Sequence, residues 1–107
     1  MESYTFKRFE DDEGHIRSLG INGMLVLENA VEIKRSFLGV AKSMSYHLNI
    51  SISDVSDIDL SFIQLLLAFI TEMDEKHVSY SFEWNLDDDQ KSLLENVGLS
   101  SELYINN

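Results

Sequence analysis

The chain has 107 residues with 44% apolar content, enough for one core and one domain over residues 1–107. Nineteen Asp and Glu against eight Lys and Arg leave a formal charge of −11, which repels phosphate backbones and anionic lipid surfaces and favours a protein partner with a basic patch. Cysteine is absent, which removes disulfides, thiolate catalysis and cysteine-ligated metals together.

No apolar run approaches the roughly 20 residues of a membrane span, and no charged-then-apolar leader opens the chain. The expected location is the cytoplasm. Tyr4, Phe6 and Phe9 read as an edge strand that turns at Asp11-Asp12-Glu13-Gly14 and returns through His15 to Ile21, giving an N-terminal hairpin over residues 3–22. Asn22-Gly23 is expected to break it. Ala30, Ile33, Phe37, Val40, Ala41 and Met44 recur at helical spacing, so residues 28–44 are predicted as an amphipathic helix.

Leu48 to Ser53 alternates apolar and polar residues, the pattern of a strand over 48–53 with one wet face. From Leu60 the apolar residues run on to Ile70, predicting a helix over 60–75 after an acidic loop. Ser61 and Gln64 have capping-box spacing, while Asp57 and Asp59 put negative charge where free N–H groups want it. Val78, Tyr80, Phe82 and Trp84 alternate with polar residues and predict a strand over 78–84.

A last helix is predicted over 88–97. Asp87 and Gln90 frame its start, Leu93, Leu94 and Val97 form its stripe, and Gly98 ends it. Leu103-Tyr104-Ile105 reads as a short strand or helix. Polar residues at Asn49, Ser51, Ser53, Ser79, Ser81 and Glu83 require one face of the sheet to stay wet, because strands covered on both faces read as continuous apolar runs. The expected fold is an α/β two-layer sandwich.

Parallel α/β sheets bind at the carboxyl ends of their strands, which here are residues 53–62 and 85–89. Asp54, Asp57 and Asp59 are hard-cation ligands in kind, but caps and turns account for them more simply, and no metal or cofactor is expected. Ser56 and Ser61 are candidate phosphoacceptors at a helix start, with N-capping the structural alternative for Ser61. An acyl-carrier role fails, because the order Asp59-Leu60-Ser61 is wrong and such carriers are all-helical. His15, His47 and His77 lack ligand spacing and the glycines are dispersed, so no catalytic residue is assigned.

Three pieces resemble a STAS domain, the fold of bacterial anti-sigma factor antagonists: Gly23 to Ala30, Ser53 to Asp59 followed by Leu65-Leu66-Leu67-Ala68, and Leu93 to Leu99. The resemblance implies a mixed sheet of four to five strands with about four helices mainly on one face. It also implies a non-enzymatic partner-switching module, which binds a kinase-like anti-sigma factor and is released by phosphorylation just after the loop aspartate. Asp59 matches that aspartate, Leu60 falls on the phosphorylated hydroxyl, Ser61 on the next residue and Phe62 on the usual glycine.

Leu60 has no oxygen to accept a phosphoryl group. The switch is therefore expected to be lost, the alternative being its transfer to Ser61 or Ser56. The predicted partner-binding residues are Ser56, Asp57, Asp59, Leu60, Ser61 and Phe62, with Phe62 either an aromatic anchor or part of the core. An accessory subunit of a lipid-transport ATPase is the alternative function, and a homodimer is left open by the wet sheet face.

Overall fold

The computed structural model describes residues 3–96. Its elements are β1 (Tyr4–Glu10), β2 (Ile16–Leu25), α1 (Ala30–Ala41), β3 (Met44–Ile58), α2 (Leu60–Glu75), β4 (Ser79–Trp84) and α3 (Asp88–Asn96). One turn of 3₁₀ helix at Leu27–Asn29 leads into α1.

The four strands lie in the order β1-β2-β3-β4, the first pair antiparallel and the next two pairs parallel. Each parallel step moves the same way across the sheet. Right-handed crossovers taken repeatedly in one direction put their helices on one face, which is why α1 and α2 share a layer.

That layer holds the core. Ile33, Phe37 and Val40 of α1 and Phe62, Ile63, Leu66, Phe69, Ile70 and Met73 of α2 close over Leu19, Ile21, Leu48, Ile50 and Ile52 of the sheet. Phe37 joins the two helices to the edge strand. Its ring stacks on Phe69 at 4.6 Å and meets Phe6 edge-on at 5.1 Å, geometries that add to simple burial.

Several boundaries differ from expectation. Gly23 does not stop β2; it takes φ +96° inside the strand, where a β-carbon would come within 2.7 Å of the Ser3 carbonyl oxygen. Only glycine fits there, and the register shifts around it. The first helix covers 30–41 rather than 28–44, because its last turn tightens into Ser43 N–H to Val40 carbonyl bonding and Met44 pairs with Ile16 as strand.

The central strand is the largest departure, running well beyond 48–53 at both ends. The expected acidic loop stays extended and paired, with Val55 opposite Gly23, Asp57 opposite Met24 and Ile58 opposite Leu25. Asp54 absorbs the bend at φ +49°, a conformation Asp tolerates. The last helix begins as the spacing predicts: Asp87 and Gln90 exchange backbone-to-side-chain bonds at 3.1 and 2.8 Å.

Among the described residues there are four strands and three α-helices, fewer than the upper expectation of five and about four. Val97, Gly98 and Leu103 to Ile105 lie outside the described residues.

Candidate functional site

At the carboxyl ends of β2 and β3 the chain organises itself around one side chain. Asp59, not Ser61, is the N-cap of α2: its extended backbone at φ −131° starts the helix and its Oδ1 accepts from Ser61 N–H at 3.0 Å. The other oxygen reaches 32 residues back along the sequence. Asp59 Oδ2 accepts from Leu27 N–H at 2.9 Å, and Asp59 N–H donates to the Leu25 carbonyl at 3.1 Å. The carboxylate thus ties the entrance of α2 to the 3₁₀ turn before α1.

Partial burial pushes the Asp59 carboxyl up, but hydrogen bonds from the Ser61 hydroxyl and from the N–H groups of Leu27, Phe62 and Ser61 outweigh it. Its pKa is held below the ordinary Asp value, so the site stays anionic at neutral pH. Asp57 behaves differently: it is exposed, and its Oδ1 accepts only from the adjacent Ile58 N–H at 2.8 Å among the bonds described.

The first turn of α2 separates the predicted contact residues. Leu60 is 47% exposed, whereas Phe62 is 1% exposed and lies against Phe37 in the core. Phe62 is therefore corrected from an interface residue to a core residue, since the helix phase that sends Ile63 and Leu66 inward carries Phe62 with them. Ser61 is half-buried, and its hydroxyl donates to Asp59 Oδ1 at 2.6 Å instead of capping the helix itself. Ser56 is exposed on β3.

Two contributors escaped the sequence reading. Leu27 and Val31, one helical turn apart, are 65% and 68% exposed, and Leu27 stands beside Asp59 through the hydrogen bond just described. Their signal was present, since apolar residues at 27, 31 and 38 recur at helical spacing outside the buried stripe. Leu60, directly after Asp59, and the 37% exposed Leu67 two turns further along α2 add to the exposed apolar surface.

The arrangement suits docking. Asp54, Asp57 and Asp59 are not gathered, and no group of three or more His, Cys, Asp or Glu among the described residues can hold a metal ion. His15 and His77 line a concavity at the opposite end of the strands, and His47 stands on the helix-free face of the sheet. No helix among the described residues is long and apolar enough to cross a membrane.

No family model and no curated protein matches the sequence. Solved structures do match the fold, among them anti-sigma factor antagonists. One from Mycobacterium paratuberculosis superposes with a TM-score of 0.74 at 16% identity, over 91% of this chain and 80% of that one.

The antagonist SpoIIAA in its unphosphorylated form gives a TM-score of 0.73 at 13% identity, covering 96% and 88% of the two chains. The phosphorylated form from Bacillus gives 0.66 at 13%, covering 96% and 91%. This chain therefore has the STAS fold of those antagonists, as the sequence resemblance implies.

Proposed function

We propose that this chain is a non-enzymatic docking module for a kinase-type anti-sigma factor, and that it binds without a phosphorylation switch. The supporting observation is the position of Leu60. It stands half-exposed at the first residue of α2, directly after a carboxylate whose two oxygens are occupied by the fold's own N–H groups. A partner meets apolar side chains from Leu60, Leu27 and Val31, bordered by the exposed Ser56 and Asp57.

Chemistry supports the loss of the switch at the start of α2. Leu60 cannot carry a phosphoryl group, and the Ser61 hydroxyl already donates to Asp59, so a phosphate there would set a dianion against a carboxylate. The expected test result is a partner complex that forms with unmodified protein and is unaffected by ATP. A phosphate found by mass spectrometry on Ser56 or Ser61 after incubation with the cognate kinase, together with release of the partner, would overturn this part.

Docking itself is tested by titrating kinase-type anti-sigma factors from the source cell against the wild type, Leu60→Asp and Leu27→Asp. Binding by the wild type and loss in both variants is expected. Equal binding by all three would move the interface elsewhere.

One observation favours a second reading. The outer face of α2 carries no charge from Leu60 to Thr71, although Gln64, Leu67, Ala68 and Thr71 are exposed on it. A helix face of that kind also suits the accessory subunit of a lipid-transport ATPase, and co-purification with such an ATPase would decide for it.

A further inference from the structure

The face of the sheet turned away from the helices has a pattern that the docking end does not use. Three rows of paired residues cross it. Thr5 and Asn22 form the first, Lys7, Gly20, Ser51 and Glu83 the second, and Phe9, Ser18, Asn49 and Ser81 the third. His47 and Ser79 follow below. In a chain of net charge −11, these rows hold one cation and one anion among the described residues, Lys7 at one edge and Glu83 at the other, on the same row.

We propose that this face is a self-association surface, occupied by a second copy of the chain. A molecule so acidic repels itself over most of its surface, so association requires a face whose own charges cancel. This one cancels, and the placement of its charges is self-complementary.

When two such sheets stack about a twofold axis parallel to the strands, strand order reverses and height along the strand is kept. β1 of one copy then lies over β4 of the other, and Lys7 faces Glu83 of the second copy twice over. Stacked sheets sit about 10 Å apart, a gap that an extended lysine and glutamate span together. Ser51 between them is small enough not to hold the sheets apart.

The row below is complementary in the same operation. Phe9 is 49% exposed and lies across Gly20, where a β-carbon would meet its ring at 3.8 Å. Across the twofold it faces Ser81 of the second copy, part of a preassembled polar floor on β3 and β4: His47 Nδ1 is 2.7 Å from Ser79 Oγ, His47 Nε2 is 3.1 Å from Asn49 Oδ1, and Ser81 donates to the same Asn49 oxygen. Stacking places the half-exposed ring over that floor. The face is only four strands wide and largely polar, which corresponds to a weak, concentration-dependent dimer and not a permanent one.

The test is a charge swap read by sedimentation equilibrium from micromolar to millimolar protein at low salt, on the wild type, Lys7→Glu, Glu83→Lys and the double variant. The expected result is a reversible wild-type dimer, a loss of about tenfold or more in association for each single reversal, and recovery in the double variant. Recovery also shows that the single variants failed through charge and not through misfolding. A wild type monomeric up to millimolar concentration, single reversals that dimerise unchanged, or a double variant that does not recover would each overturn the proposal.

Discussion

The two ends of the parallel strands carry different kinds of surface. At the amino end lies a concavity of about 540 Å³ lined by Asp11, His15, Lys42, Tyr46, Lys76 and His77 among others. At the carboxyl end lie the Asp59 cap and the exposed side chains of Leu27, Val31 and Leu60. That hollow therefore does not lie where the helices begin.

Helix polarity explains the contrast. α1 and α2 start at the carboxyl ends of the strands, so free N–H groups collect there and select Asp59, whereas their last carbonyls collect at the amino end and select cations. Lys76 follows α2 and donates through Nζ to the Ala41 carbonyl at 2.7 Å, closing the last turn of α1. Lys76 thus has a structural role beside the hollow, while Leu27, Val31 and Leu60 stand exposed at the carboxyl end.

The contrast can be broken from beneath. Phe62→Ala removes a fully buried ring under the docking end and is expected to cost about 3–5 kcal/mol of stability, read as a lowered urea midpoint. A cost below 1 kcal/mol would mean that the ring is not in the core. Leu60→Asp, two residues away, is expected to leave that midpoint unchanged while weakening partner capture about 30-fold, the scale of a roughly 2 kcal/mol hot spot. Tyr46→Ala at the other end is the control. Its side chain is 93% exposed, and neither stability nor capture should change.

Smaller effects sharpen the comparison. Asp59→Ala removes the cap and the bridge to Leu27 and is expected to cost about 1–2 kcal/mol at pH 7. Because the folded-state pKa of Asp59 lies below its unfolded value, its contribution is present above the ordinary Asp range and fades as pH falls through the folded pKa. The stability gap between wild type and Asp59→Ala should therefore narrow in acid, and a gap independent of pH would contradict the role. Lys76→Ala at the opposite end should cost only about 0.5 kcal/mol, since the side chain is exposed and its contact is with a helix terminus.

Local patterns carried much of this structure in the sequence. Alternation over 48–53 and 78–84 predicted two strands with a wet face, which the structure pairs in parallel as β3 and β4. The reciprocal Asp87 and Gln90 bonding was legible because both partners sit within one helical turn.

What the sequence could not contain was any decision taken between distant segments. Periodicity places Leu60 and Phe62 on the same helix, but the seating of α2 against Phe37 turned one outward and the other in. Likewise Asp59 became the cap and the bridge only because β2 delivers the Leu27 N–H beside it, and β3 ran on to Ile58 only because β2 offered pairing partners past Gly23. Propensity and spacing are properties of neighbours along the chain. Which side chain is left for a partner is settled by packing, where hydrogen bonds and contacts join residues that the sequence holds far apart.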